Sequence, residues 1–409
     1  MLMWSIIIAV IIVVLIISIF YIINRFTRFR FIDYIEDKTI FKNKPRDRAK
    51  AIDLGLSAKK RYLEENPNQK KYKPKKSWLR RLIATIIFII VFGLFFVCLS
   101  GIEAVVILIN VAVIWAIIEG LFALLYIFKV DLSQLKVYFT GICAIVISTV
   151  YMLVANYLGS NVFVTNYNIE TNKQIEPIRI VQIADTHLGV TLDKDNFKDL
   201  VDEINAQNPD IVLITGDYVD DDSKYEDMVA ASEALSNVKS KYGVYFSYGN
   251  HDRGYYNNSN RGYDAAKLEE TLRDNNVKIL NDQVDIIDNQ YIIIGRGDKS
   301  FANRLPIDKL VDTIDKSEFD KDYSIVLDHQ PNDYDAEAAS LVDIVLSGHT
   351  HGGQMLPINR IGELIGANDY TYGHKKIDNT DFIVTSGASS WAIRFKTGTK
   401  SEIVVIDVK

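Results

Sequence analysis

Four long apolar stretches, Ile6–Ile23, Leu82–Leu99, Ala104–Phe128 and Val137–Leu158, constrain this chain more than any other feature. Each is close to or above the roughly 20 residues a helix needs to cross a bilayer's hydrocarbon core. Inside lipid a segment must satisfy its own backbone amides, and a single segment can do that only as a helix. Residues 1–158 therefore read as a membrane domain of four helices, followed by a second domain over 159–409. The first stretch does not fit a secretory signal. No basic residue precedes it, its apolar core is too long, and no small-residue cleavage site follows.

The basic residues set an orientation. Residues 24–81 hold 19 Lys and Arg against 7 Asp and Glu, which predicts a cytoplasmic loop. The turn Ser100–Glu103 has no basic residue and suits the outer side, whereas Lys129–Lys136 carries two lysines and suits the inner side. Four crossings then place 159–409 outside the cytoplasm of a plasma-membrane protein. Within the basic loop, Pro45 predicts a helix over Arg46–Glu65. The run Lys70–Lys76 reads as a topology signal beside anionic headgroups. Glu119 is an acid within the third stretch, either a functional group or a polar contact within the bundle.

Residues 159–409 hold 25 Lys and Arg against 42 Asp and Glu, a surplus of negative charge that disfavours nucleic acid as a partner. Both cysteines, Cys98 and Cys143, fall in the apolar stretches, so this part has neither a disulfide nor a thiolate metal site. Short apolar runs of strand length occur at Ile178–Ala184, Ile211–Thr215, Val244–Tyr248, Tyr291–Gly295, Ser324–Leu327 and Ile344–Ser347. Helical stretches, Phe197–Gln207, Tyr225–Ser236 and Ala265–Asn275, fall between several of them, which predicts an α/β fold. The runs Phe382–Thr385 and Ile403–Asp407 are expected to close a second sheet.

Five of the chain's six histidines sit just after these strands, each beside an Asp, an Asn or another His. The blocks are Asp185-Thr186-His187, Gly216-Asp217, Gly249-Asn250-His251-Asp252, Asp328-His329 and Gly348-His349-Thr350-His351. Open α/β sheets present ligands at the C-terminal ends of their strands, so five separate loops can converge there. Imidazole, carboxylate and amide oxygen in this proportion suit borderline divalent cations, and the donor count exceeds what one ion takes. Two ions such as manganese, iron or zinc are expected.

This ordered set resembles the calcineurin-like metallophosphoesterase family across about residues 178–409, and Gly348–Gln354 is similar to its membrane-anchored subgroup. The resemblance implies a four-layer αββα sandwich. It implies that Asp185, His187 and His351 hold one cation, that Asn250, His329 and His349 hold the other, and that Asp217 bridges them. A metal-activated hydroxide would attack phosphorus in line. His251 is then the natural proton donor to the leaving oxygen, with Asp252 orienting its ring. Asp220, Asp221 and Asp222 read as a solvated acidic loop, and Gly295–Asp298 as a support for the site. Arg394 and His374 are candidate substrate contacts, and Tyr255–Tyr263 and Ala367–His374 candidate pocket walls.

The expected activity is hydrolysis of phosphodiester or phosphomonoester bonds in a lipid or cell-envelope substrate at the bilayer. Three alternatives remain: a pyrophosphatase of the UDP-2,3-diacylglucosamine type, which favours a cytoplasmic catalytic face; a non-catalytic membrane sensor; and a transport protein using Glu119 with an accessory soluble domain.

Overall fold

The computed structural model describes residues 2–29, 31, 32, 35, 78–128, 138–254 and 261–409. The expected helix over 46–65, the run 70–76, the connection 129–136 and residues 255–260 lie outside the described residues. The chain divides into two compact units, Met1–Leu153 and Val154–Lys409.

The first unit is built from α1 (Leu2–Phe26), α2 (Trp78–Cys98), α3 (Gly101–Ile127) and most of α4 (Phe139–Ser160). All four helices are long and apolar enough to cross a membrane. Most run a few residues past the apolar stretches, because helical hydrogen bonding continues into polar flanks. Ile22, Phe88, Leu108 and Ala112 join the first three helices in one packed cluster. Trp115, Ile118, Tyr138 and Ala144 join α3 to the start of α4. Glu119 lies among cations: Arg25 is 2.5 Å away and Arg28 3.2 Å, and the Tyr138 hydroxyl donates to it at 2.6 Å. It is therefore a polar contact within the bundle, as one of the two readings of Glu119 expected.

The second unit contains two six-stranded sheets. The first has the order β1-β12-β2-β3-β4-β5, from β1 (Val162–Ile169), β12 (Ser401–Val408), β2 (Ile178–Ile183), β3 (Ile211–Thr215), β4 (Val244–Ser247) and β5 (Val277–Ile279). The second has the order β10-β11-β9-β8-β7-β6, from β10 (Gly373–Ile377), β11 (Thr380–Val384), β9 (Ile344–Ser347), β8 (Tyr323–Leu327), β7 (Tyr291–Gly295) and β6 (Gln283–Ile287). The run ending the chain does not close the second sheet as expected. As β12 it lies in the first sheet, parallel to β1 and antiparallel to β2.

Side-chain alternation along the strands sorts the core into layers. Ile180, Ile211, Leu213 and Tyr245 of the first sheet pack against Ile293, Ile325, Leu346 and Ile383 of the second. The opposite face of the first sheet, including Val181, Val212 and Phe246, is covered by α5 (Asn196–Ala206), α6 (Tyr225–Leu235) and α7 (Ala265–Asp274). In α5 the residues Phe197, Leu200, Val201 and Ile204 repeat at helical spacing and are all buried, so one stripe faces the sheet. The second sheet is covered in turn by α8 (Ile307–Val311), α9 (Lys316–Lys321) and α10 (Tyr334–Ala339). The result is a four-layer αββα sandwich. Strands β2, β3 and β4 run parallel, as do β8 and β9, so within each sheet the motif loops leave from one edge.

Candidate metal centre

Three of the five motifs turn off their strands in a backbone conformation that side chains rarely adopt. Five of the seven expected ligands have positive φ: Asp185 at 52°, His187 at 35°, Asp217 at 50°, His349 at 68° and His351 at 50°. Such residues cost about 1–3 kcal/mol each and persist only where their surroundings over-determine them. Here the loops brace one another. Asp185 N–H donates to the Gly216 carbonyl at 3.0 Å, His187 N–H to the Asp217 carbonyl at 3.1 Å, and Gly348 N–H to the His329 carbonyl at 3.0 Å. Gly216, at φ 77°, has no room for a side chain, since a Cβ would sit 2.6 Å from both Gly249 N and His329 Nδ1.

The braces bring the expected ligands together in two groups. Asp185, His187 and His351 present ligand atoms within 4.8 Å of one another, and so do Asp217, His329 and His349. In the first group, His187 Nε2 and His351 Nε2 face each other at 3.2 Å. The Nδ1 of His187 lies 3.2 Å from Asp220 Oδ2, and that of His351 lies 3.3 Å from the Ser389 carbonyl. A ring whose proton sits on Nδ1, beside such an oxygen, keeps a lone pair on Nε2. Two such lone pairs, with Asp185 Oδ1 3.7 Å from one and 4.0 Å from the other, repel unless a positive charge lies between them. The donor set thus fits a divalent cation.

In the second group, His329 Nδ1 is 2.9 Å from the Thr215 carbonyl, and its buried Nε2, without a hydrogen-bond partner among the described residues, lies 3.1 Å from Asp217 Oδ2. His187 Nε2 is 3.6 Å from the same oxygen. Asp217 Oδ2 therefore stands between the groups, while Oδ1 accepts the His251 N–H at 2.8 Å. Asn250 Oδ1 is 3.0 Å from His349 Nδ1, and the His349 ring is edge-on to His329 at 5.2 Å. His349 N–H donates to both Asp185 oxygens at 3.0 Å, which ties the groups together.

The electrostatics suit cation binding. Burial alone would push the Asp217 carboxyl up, but the adjacent His329 holds it well below the usual range. Burial pushes His351 well below its ordinary value, with help from His187, and pushes His349 down to about 4, with help from His329. These two imidazoles are therefore neutral at physiological pH, the form that ligates.

Two expectations need correction. Asp252 does not orient His251. Its buried carboxylate faces the other way and accepts three backbone N–H groups, from Gly249 at 2.7 Å, Asp217 at 2.9 Å and Val219 at 3.1 Å. The His251 ring is held by Asp221 and Asp220, whose oxygens lie 2.8 and 3.0 Å from Nδ1. Asp220 and Asp221 are thus not a solvated loop; of the three acids only Asp222 is exposed. Burial would lower the His251 pKa, but hydrogen bonding to Asp220 and the charge of Asp217 raise it to about 9. The missed signal was the Asp-x-x-Asp-Asp spacing directly after β3, which returns acids to the strand end that carries Asp217.

The other expected residues lie elsewhere. His374, on β10, pairs with Asp381 at 2.7 Å, and its ring lies tilted against Tyr167 at 5.8 Å. Arg394 is partly buried with its carbonyl against Gly159. Neither is among the grouped ligands. Asp298 accepts two hydrogen bonds from the Gln330 amide at 3.0 Å, beside His329, and so braces the loop as expected of Gly295–Asp298.

Residues 178–353 match the family model for calcineurin-like phosphoesterases. An uncharacterized metallophosphoesterase of Aquifex aeolicus is 30% identical over 258 residues, covering 60% of this chain and 91% of that protein. One from Campylobacter jejuni is 31% identical over 248 residues, covering 60% of this chain. A zebrafish transmembrane protein with a metallophosphoesterase domain is 28% identical over 246 residues, covering 58% of this chain and 54% of that protein. The chain spans 63% of the length of the Campylobacter relative. With the αββα layers and the grouped ligands, these similarities establish that the chain belongs to the calcineurin-like phosphoesterase family.

Proposed function

We propose that this chain is a membrane-tethered, metal-dependent phosphohydrolase that cleaves phosphodiester or phosphomonoester bonds of a lipid or cell-envelope substrate. The observation that carries the reading is Asp217 Oδ2, set between His187 at 3.6 Å and His329 at 3.1 Å, at the junction of the two ligand groups. Asp185, His187 and His351 would hold one divalent cation, and Asn250, His329 and His349 the other. Such a pair supplies Lewis-acid charge for the phosphoryl oxygens and lowers the pKa of water enough to make a nucleophile near neutral pH. Manganese, iron and zinc all accept this mix of nitrogen and oxygen donors.

The chain's own contribution is to position and to protonate. Asp220 and Asp221 occupy the Nδ1 side of His251, so the proton for the leaving oxygen would come from Nε2. The raised pKa of His251 keeps that proton in place at neutral pH. The basic bias of residues 24–81 argues for a catalytic unit on the outer face. Tethering raises the local concentration of a substrate confined to the same surface.

The test is turnover of bis-p-nitrophenyl phosphate by the detergent-solubilised full chain. Activity should require manganese, be lost on chelation, return on metal addition, and be absent in Asp217→Ala. Chelator-insensitive turnover would refute the reading. Protease access in intact cells reads the sidedness.

A further inference from the structure

Half of the large apolar side chains that the described residues of the second unit expose lie in one place. Leu356, Ile358, Ile361, Leu364 and Ile365 are 45%, 58%, 50%, 83% and 51% exposed, within ten residues that begin soon after the ligand His351, and Trp391 is 39% exposed. A contiguous patch of this kind on a folded domain marks an interaction surface. The two segments form one rim: the Gln354 amide donates to the carbonyls of Trp391 at 3.1 Å and Ile393 at 3.2 Å, and its oxygen accepts the Trp391 N–H at 3.1 Å. The rim borders the metal centre, because the Trp391 ring lies 6.1 Å from the His251 ring.

What covers the rim follows from where the chain leaves the membrane. The last turns of α4, from Val154 onward, belong to this unit, and β1 begins only two residues after α4 ends. Those turns bond directly to the loop carrying Trp391 and to the start of β12: Lys396 N–H donates to the Ala155 carbonyl at 3.0 Å, and the Ser401 hydroxyl to the Gly159 carbonyl at 2.7 Å. The same loop holds the start of the apolar segment, with Leu356 N–H donating to Thr397 Oγ1 at 2.8 Å. Tyr157, near the end of α4, lies edge-on to Phe163 at 6.0 Å, and the Lys400 ammonium sits 5.3 Å over the Phe163 ring. Aromatic and basic side chains grouped at the end of a crossing helix are typical of the membrane–water boundary.

We propose that the rim formed by residues 356–365 and Trp391 inserts into the phospholipid bilayer that α4 crosses, so that the metal centre opens onto the headgroup layer. The substrate then presents its phosphoester from the membrane surface rather than from bulk solution. This rests on the phosphohydrolase reading for its consequence, though not for the docking itself. It holds on whichever face of the membrane the unit lies.

The experiment uses the full chain with Cys98 and Cys143 replaced by alanine, reconstituted in phosphatidylethanolamine–phosphatidylglycerol nanodiscs. Single-cysteine variants Leu364→Cys, Ile358→Cys and Leu341→Cys carry an environment-sensitive fluorophore. Leu341 is 67% exposed and precedes β9, at the end of that strand away from the ligands. Labels at 364 and 358 should lose at least half their emission to doxyl-labelled lipids and resist aqueous iodide, and the label at 341 should do the reverse. Iodide quenching at 364 and 358 without lipid quenching overturns the proposal. Protection from both quenchers also overturns it, in favour of a protein partner. Chelator-sensitive turnover of bis-p-nitrophenyl phosphate by each labelled variant reports folding. If that turnover is absent from the parent chain, the phosphohydrolase reading fails, while quenching still decides the docking.

Discussion

Asp252 lies beneath Asp217, with its Oδ2 accepting the Asp217 N–H at 2.9 Å. The same carboxylate takes the Gly249 and Val219 N–H groups, so one buried side chain straps the loop after β3 to the loop after β4. Asp252→Ala leaves three buried amides unsatisfied, each costing about 1–3 kcal/mol. The variant should unfold on the order of 3 kcal/mol more easily in chemical denaturation and bind fewer divalent ions by elemental analysis.

His251 is expected to serve chemistry rather than cation binding. His251→Asn should keep the metal content of the parent and lower turnover by about 10²–10⁴-fold, the range for losing a general acid. Asp221→Asn weakens only the hold on the ring and should cost less than His251→Asn. Steady-state kinetics with parallel metal analysis checks both.

Gly348 leaves no room beside the ligand Asp185, since a Cβ there would lie 2.5 Å from Asp185 Oδ2 and 2.7 Å from Ala184 Cβ. Both neighbours are fully buried and cannot swing aside. Gly348→Ala should therefore displace Asp185 and reduce metal content and turnover together, at an overpacking cost of about 1–3 kcal/mol.

Lys396 provides a pH signature. It is fully buried and donates to the carbonyls of Ser386 at 2.5 Å and Gly387 at 3.3 Å, in the loop that also holds His351 through Ser389. Burial lowers its pKa to about 7, against 10.5 for the exposed side chain. Between those values the unfolded chain binds the proton and the folded chain does not, so stability rises with pH. Denaturation midpoints of the full chain should increase from pH 7 to pH 10, at up to about 1.4 kcal/mol per unit. Lys396→Met should remove that part of the slope.

In the membrane unit, Glu119 neutralises Arg25 and Arg28 at 2.5 and 3.2 Å. Glu119→Ala leaves two partly buried cations without their shared partner and should lower the thermal stability of the solubilised chain by about 1–3 kcal/mol. Turnover per folded molecule should not change. Loss of a transmembrane flux at intact stability would instead favour a transport role for this residue.

Much of the site was legible because its donors are rare and ordered. Five of six histidines follow strand-length apolar runs, which marked them as candidate donors, and the resemblance to the family then selected His187, His329, His349 and His351 as ligands. In the second unit the eight expected strands and three expected helices all formed, within a few residues at their ends. The edge strands β1, β5, β6 and β10 were not anticipated. In β10, Gly373–Ile377, no residue is fully buried, so it carries little of the apolar pattern that identifies a strand.

Local composition was sufficient for the four long apolar helices and for the kinds of atom offered to a cation, because both depend on residue type and order. It could not distinguish Asp221 from Asp222, neighbours of identical chemistry, of which one is buried against His251 and the other exposed. Nor could it assign β12 to the first sheet or turn Asp252 under Asp217. A carboxylate's role follows from which strand ends adjoin it, and strand neighbours are chosen by long-range packing of the whole sandwich rather than by any short stretch of chain.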